Sequence, residues 1–562
     1  MIRSMRGWQR ACGRVIAGIC VGLAASSLSL GGARAADSEA GGPVDLSTDA
    51  DIRVDGPLAG EQIGRSVAGA GDVNGDGKAD LVIGSPFASS PGGSGADGAT
   101  YVVFGRQEAG VVDLASAETA GFKIIGYEGG MAGSSIGGLP DTNGDGLAEV
   151  IVGAPLQRIS GVRSGAVFVV FGKRGGADVD LSHLGAGGFR IAGAHAESLA
   201  GYSAAAAGDV NADGIADLVV GAPDTGTPGT AWVVFGRSTA QDVDLAHLQA
   251  DQGFRVDGIA RSPAEPVGGN LTGGAVDGAG DVNGDGLADV VVGAVLAHPH
   301  GTTSGSAYVV FGKRSGDAVN LASPPDWGFQ VDGMSEFDAA GAWAGGAGDV
   351  NGDQLGDVIV AAPGTSYNDR PESGSASVVF GKPSHDPLVI GALGTHGFRI
   401  DGPERSFPLG HQALSTVTRT VGGAGDVNGD GYADLIVGSG IQTTAERPES
   451  GSAWVVYGGP SITDVDLAAS LAGRGFQIIG AAAGDLAGVS VAAAGDVNGD
   501  GAQDVVVSAP WADNNQRRDS GSAYVIYGFR PRPRNKDDCK KGGYLAFGFR
   551  TQGQCIQAVR DR

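Results

Sequence analysis

Apolar residues in this chain come in short runs of five to seven, rich in Val, Ile and aromatics and closed at both ends by Gly, Asp or Pro. One set reads Ile63–Ala68, Asp80–Pro86, Ala99–Gly105 and Gly121–Gly126. Runs of this length and composition predict strands, and no stretch keeps the spacing of an amphipathic helix. The third run returns as Val167–Gly172, Trp232–Gly236, Tyr308–Gly312, Ser377–Gly381, Trp454–Gly458 and Tyr524–Gly528. The fourth returns as Gly188–Gly193, Gly253–Gly258, Gly328–Gly333, Gly397–Gly402 and Gly475–Gly480. No fourth run follows the seventh third run, yet an orphan copy, Asp51–Gly56, stands near the N-terminus. Seven four-stranded units with one strand permuted to the other end predict an all-β fold, a seven-bladed β-propeller closed by an N-terminal strand. A ring leaves only short, protected sheet edges, whereas a linear array would need atypical repeats at both ends.

The polar positions between the first and second runs are equally regular. A nine-residue loop, first seen as Asp72-Val73-Asn74-Gly75-Asp76-Gly77-Lys78-Ala79-Asp80, recurs at Asp141, Asp209, Asp281, Asp349, Asp426 and Asp496, with spacings of 69, 68, 72, 68, 77 and 70 residues. A period this constant marks a repeat architecture. Positions 1, 3, 5 and 9 carry side-chain oxygens, and the carbonyl at position 7 would complete a ring of donors. The candidate metal ligands are therefore Asp72, Asn74, Asp76, Lys78 and Asp80; Asp141, Asn143, Asp145, Leu147 and Glu149; and Asp209, Asn211, Asp213, Ile215 and Asp217. They continue with Asp281, Asn283, Asp285, Leu287 and Asp289; Asp349, Asn351, Asp353, Leu355 and Asp357; Asp426, Asn428, Asp430, Tyr432 and Asp434; and Asp496, Asn498, Asp500, Ala502 and Asp504. All-oxygen sets of this size suit Ca²⁺, which takes six to eight such ligands, so up to seven ions are expected. A simple Asn/Asp/Gly turn would explain the Asn-Gly and Asp-Gly pairs, but it gives no reason for an acid at position 9. An EF-hand is excluded, because its bidentate acid at position 12 is replaced by Ile83, Val152, Val220, Val292, Val360, Val437 and Val507. Position 6 should need Gly for a sharp turn; six loops have it and the fifth has Gln354.

These motifs resemble the FG-GAP repeats of integrin alpha-chain propellers. The Phe-Gly pair is Phe104-Gly105, Phe171-Gly172, Phe235-Gly236, Phe311-Gly312 and Phe380-Gly381, with Tyr457-Gly458 and Tyr527-Gly528 as variants. Gly153-Ala154-Pro155 and Gly221-Ala222-Pro223 carry the second motif, with looser forms at Gly84, Ala361 and Ser508 and breaks at Val295 and Gly440. The resemblance covers about residues 51–528. It implies a seven-bladed propeller whose metal loops join the first and second strands of a blade. The chain departs from integrins in carrying the loop in all seven units, in having Asn at position 3, and in leaving no room for an inserted adhesion domain.

Charge and processing signals narrow the setting. Residues 1–35 hold Arg3, Arg6, Arg10 and Arg14, an apolar run from Val15 to Leu30, and Ala33-Arg34-Ala35, the layout of a cleaved secretory signal peptide. Residues 36–50 then form an N-terminal extension. The whole chain has 38 basic and 63 acidic side chains, a formal net charge of −25. Such a surface disfavours nucleic acid, and no later stretch is apolar enough to span a membrane. Residues 529–562 reverse the trend, with a basic Arg-Pro linker followed by Cys539 and Cys555. As an even pair in an exported chain they are expected to form one disulfide. Gly133-Ser134-Ser135-Ile136-Gly137 matches a nucleophile-elbow pattern, but Ser66, Ser203 and Ser490 repeat the same strand position, so Ser135 is read as structural.

In an antiparallel blade the first–second and third–fourth connections share one face, and the second–third and fourth–first connections share the other. The acidic loops fall on the first. The second receives the two longest connections, Ile259–Ala275 and Pro403–Thr420. Candidate ligand residues there are Arg261, Glu404, Arg405 and His411, joined by Tyr367 and Trp511 from second–third loops. The chain thus reads as a secreted, monomeric, non-enzymatic calcium-binding propeller, an adhesion or ligand-binding module for a protein or glycan at a cell surface or matrix. The alternatives are the scaffold of an extracellular hydrolase and a lectin-like carbohydrate-binding propeller.

Overall fold

A computed structural model describes residues 42–529, apart from 90–94, 117–119, 225–227, 260–268, 324–325, 405–419 and 444–445, together with a few positions of the tail. The chain forms seven five-stranded sheets. In the first, Ser66–Gly71, Asp80–Ser85, Ala99–Val103 and Gly121–Ile125 pair antiparallel in sequence order. The other blades repeat this scheme, and Ile52–Asp55 supplies the fourth strand of the last, pairing with Ser522–Ile526. First strands are innermost, and each packs against its neighbours in an unbroken ring that includes last against first. Second strands such as Asp80–Ser85 and Glu149–Ala154 are buried along their whole length. They are consequently near-continuous apolar runs rather than alternating ones, since both sheet faces are covered by neighbouring blades.

The fifth strand is a feature absent from the four-strand expectation. A short segment in the third–fourth connection, Val-Asp in most blades but Val319–Asn320 in the fourth and Leu388–Val389 in the fifth, crosses to the preceding blade and pairs parallel with its outer strand. Val179–Asp180 does so with Gly121–Ile125, and Val243–Asp244 with Gly188–Ala192. The N-terminal segment obeys the same rule, so Val44–Asp45 completes the sixth blade against Gly475–Ile479. The propeller therefore begins at Val44, inside the stretch expected to be an extension. Its first two strands close two different blades. Arg447 clamps the arrangement with two hydrogen bonds to the Asp45 carboxylate, at 2.8 and 2.7 Å.

The glycines of the two recurring motifs mark close approaches between blades. A Cβ on Gly84, Gly153, Gly221, Gly293 or Gly438 would meet a carbonyl oxygen of the next blade at 2.1–2.3 Å. Ser135, in the G-x-S-x-G match, is buried and donates to the carbonyl of Gly201 in the next blade at 3.0 Å, as Ser66 does to Gly133 at 2.8 Å.

Candidate metal centre

Each acidic loop follows the first strand of a blade. In six blades the strand ends in a one-residue bulge at a left-handed glycine, for example Gly71 at φ 75°. The second blade has Pro140 there instead, runs without a bulge to the Leu139–Glu149 pair, and has Glu rather than Asp at position 9. Glu149 still reaches the amide of Thr142, at 3.0 Å, where the other loops use Asp. Position 6 is left-handed in every loop, as the turn requires, and Gln354 stands there at φ 72°. Position 4 is left-handed as well, and in the third loop it is occupied by Ala212 at φ 60°.

Within a loop the position-1 carboxylate accepts amides of the following turn. Asp72 takes those of Gly75, Asp76 and Gly77 at 2.6, 3.0 and 2.8 Å. Asp281 and Asp496 repeat the pattern. The Asn at position 3 donates to the Asp at position 5, as Asn351 does to Asp353 at 2.9 Å. Among the described residues, no three Asp, Glu, His or Cys side chains meet closely enough to hold an ion as they stand.

The position-9 acid has a structural task that the sequence did not reveal. Asp80 accepts the amide of Val73 at 2.9 Å through one oxygen and that of Gly105, the glycine of the Phe-Gly pair, at 2.8 Å through the other. All seven loops do the same, ending with Asp504 on Val497 and Gly528. Contrary to the expectation from sequence, a turn does have a use for this acid without any metal: the acid ties loop to third strand. It also explains the invariance of the glycine within this chain, since a Cβ on Gly105 would lie 2.4 Å from the carbonyl oxygen of Ala79.

Electrostatics leave this acid unbalanced. Position 9 is fully buried in every loop. Burial, and then the like charges at positions 5 and 1, push the carboxyls of Asp80, Asp217, Asp289, Asp357 and Asp504 up to about 7 and that of Asp434 to about 8; Glu149 moves in the same direction. Three carboxylates, an amide oxygen and a carbonyl within nine residues, one acid sealed from water, are a hard-oxygen donor set of the kind Ca²⁺ takes. The donor chemistry therefore fits the ion, although the position-1 and position-5 oxygens are turned to backbone amides.

Neighbouring loops are also joined. The position-8 amide of one loop donates to the position-1 carbonyl of the preceding loop at Ala79–Asp496, Ala148–Asp72, Ala288–Asp209, Gly356–Asp281, Ala433–Asp349 and Gln503–Asp426. All seven loops consequently lie side by side on one face.

Of the candidate ligand residues, Tyr367, Glu404 and Trp511 are described, in connections of the opposite face. Arg261, Arg405 and His411 lie outside the described residues, as do Cys539 and Cys555. Glu404 and Arg370 line one shallow cleft of about 460 Å³. Arg370 is held by Asp466 at 2.6 Å, and Tyr367 is covered by the Arg399 guanidinium, 3.7 Å from its ring centre. Trp511 is half-buried and packs on Arg65. Among the described residues no helix is long and apolar enough to cross a membrane.

Five segments, residues 63–103, 132–170, 200–234, 419–456 and 487–526, match the FG-GAP repeat. Similar proteins include Integrin alpha-PS5 of Drosophila melanogaster, 31% identical over 168 residues covering 30% of this chain and 16% of the relative. Integrin alpha pat-2 of Caenorhabditis briggsae is 28% identical over 276 residues, 43% of this chain and 20% of the relative. Phosphatidylinositol-glycan-specific phospholipase D of Mus musculus is 26% identical over 203 residues, 35% and 21%. The chain thus spans about a fifth or less of these relatives.

Proposed function

Because this chain is an FG-GAP repeat propeller of the integrin alpha-like kind, we propose that it is an exported, calcium-loaded ligand-binding module that engages a protein or glycan outside the cell. The observation that carries the reading is the division of labour between faces. Seven acidic loops, hydrogen-bonded to one another, occupy one face, and the described residues of the second–third and fourth–first connections occupy the other. In each acidic loop the donors are the side chains at positions 1, 3, 5 and 9, with the carbonyl at position 7. A bound cation supplies the positive charge that the buried acid lacks. The chain's own contribution is to hold the loop turned, through the position-1 carboxylate, and to anchor it, through position 9.

Metal that binds only the folded state stabilises it by mass action. Melting in millimolar Ca²⁺ should exceed melting with excess chelator by many degrees; identical melting overturns the calcium reading. Ligand binding is tested by capture from cell-surface extract, with and without chelator, and by a glycan array. A second reading, a hydrolase scaffold, draws on the similarity to a phospholipase D. Turnover by the purified chain on a hydrolase panel, without chelator-sensitive capture of a ligand, would favour it.

A further inference from the structure

We infer that Arg65, at the seam between the last and first blades, binds the carboxylate of an acidic residue on a protein partner. This rests on the ligand-face reading and deepens it. Arg65 immediately precedes Ser66, the first residue of the innermost strand of the first blade, so it stands at the axial mouth on the face away from the acidic loops. Its guanidinium lies 4.2 Å from the ring centre of Trp511 and 5.0 Å from that of Phe87. The two aromatics occupy equivalent places, after Pro510 in the last blade and Pro86 in the first. The pair therefore brackets the seam from both sides.

A guanidinium is flat, with five N–H donors in its plane. The ring faces lie over its central carbon, and the donors lie at its edge. Gln62 takes part of that edge, its Oε1 accepting from Nε at 3.3 Å and from Nη2 at 2.8 Å. Nη1 and the second Nη2 hydrogen have no acceptor among the described residues. They form the fork that grips a carboxylate bidentately. A lysine would offer a point charge there instead of a fork.

Arg65 also lacks an acid, where three other arginines of that face have one. On the same face Arg370 is closed by Asp466, Arg447 by Asp45 and Arg517 by Asp113, at 2.6, 2.7 and 2.6 Å. Among the described residues no carboxylate lies within 4.0 Å of Arg65. Desolvation pulls its pKa down to about 10, which leaves it charged at neutral pH. The five described residues at the equivalent place in other blades are Ser134, Tyr202, Gly274, Ala342 and Val489, none a cation; Arg419, the sixth, lies outside the described residues. A half-buried cation without a counter-ion is a cost to the fold unless something arrives to balance it. The chain's net charge of −25 repels acidic partners at long range, so affinity here comes from the contact and not from steering. A protein side chain is favoured over a uronic sugar because the ring faces a sugar would stack on are turned to Arg65.

The test uses the full chain in millimolar Ca²⁺. Its probes are a twelve-residue peptide of alternating Glu and Ala, the Gln counterpart, digalacturonate and inorganic phosphate. The wild type should bind the Glu peptide at least tenfold more tightly than the Gln peptide and more tightly than the other two probes. Arg65→Gln should abolish that preference, and Arg65→Lys should keep only part of it, with unchanged melting temperatures. Equal binding of the Glu peptide by Arg65→Gln overturns the inference, as does binding of digalacturonate or phosphate as tight as that of the peptide. If Arg65→Gln melts early, Arg65→Lys decides, since it keeps a cation between the rings; undiminished binding by it is then the overturning result. Arg65→Gln that still captures its cell-surface ligand like the wild type would remove this subsite while leaving the ligand-binding propeller standing.

Discussion

Removing residues 36–56 should undo the ring. The segment carries both the outer strand of the sixth blade and the fourth strand of the seventh. Its Val44, Leu46, Ile52 and Val54 are buried to 4, 3, 1 and 0% exposure. At about 1.5–3 kcal/mol for each buried aliphatic side chain, these contribute roughly 6–12 kcal/mol. Backbone ordering offsets part of this, but the sum is as large as the stability of a typical domain, about 5–15 kcal/mol. The residues also belong to two separate cores: Val44 and Leu46 to one shared by the sixth and seventh blades, Ile52 and Val54 to one shared by the seventh and first. Single variants should therefore act independently. Leu46→Ala and Ile52→Ala should each cost about 2–5 kcal/mol, and the double variant should lose the sum of the two within about 0.5 kcal/mol. The assay is size-exclusion chromatography with light scattering, followed by denaturant unfolding. The truncated chain should aggregate through its bared edges, and a synthetic peptide of residues 42–57 should restore a monomeric peak. A truncated chain that stays monomeric and unfolds at an unchanged midpoint without the peptide would refute the reasoning.

Three further outcomes follow from the geometry. Gly172→Ala places a Cβ 2.5 Å from the carbonyl oxygen of Ala148 and strains the anchor to Glu149; it should lower stability by roughly 2–3 kcal/mol, an overpacking cost read by denaturant titration. Gln354→Gly relieves a left-handed side chain and should raise stability by about 1 kcal/mol, with a parallel gain in calcium affinity of the fifth loop by calorimetry. The Arg447 guanidinium holds the Asp45 carboxyl down to about 2. A depressed carboxyl pKa stabilises the fold above its unfolded value near 4, and the stabilisation is lost as pH falls from there toward 2. Asp45 is about a third exposed, so screening reduces the effect to roughly 1 kcal/mol; the gap between wild type and Arg447→Met should be present at pH 6 and closed near pH 2.

The architecture was largely written in the chain because period and patterning both repeat. Apolar runs of fixed spacing and an orphan strand already required a closed ring of seven. The fifth strand was missed although its signal was present: Val44-Asp45-Leu46, Val112-Asp113-Leu114, Val179-Asp180-Leu181, Val243-Asp244-Leu245 and Val465-Asp466-Leu467 recur in phase. Four of these five strands are two residues long and fall below the run length by which strands are recognised, so only the recurrence could have exposed them. The acidic loops were legible as loops, but not the second role of Asp80 and its equivalents, since the amide they accept from the Phe-Gly glycine lies some 25 residues away. Arg65 gave no sign in the sequence. Its bracket depends on Trp511 and Phe87 being brought from opposite ends of the chain.

Closure by the N-terminal strands also has a kinetic side. The bond from the Tyr527 amide to Asp51 spans 476 positions of the chain, whereas strands within one blade meet across about twenty. Loop-closure entropy grows as (3/2)RT ln n, so joining the ends costs about 3 kcal/mol more than joining neighbours inside a blade. The first strands to emerge in synthesis are thus the last to find their place. Folding should proceed blade by blade through local pairings and then stall at an open ring with two bare edges. A slow final phase should follow that the 42–57 peptide, added in trans, competes with.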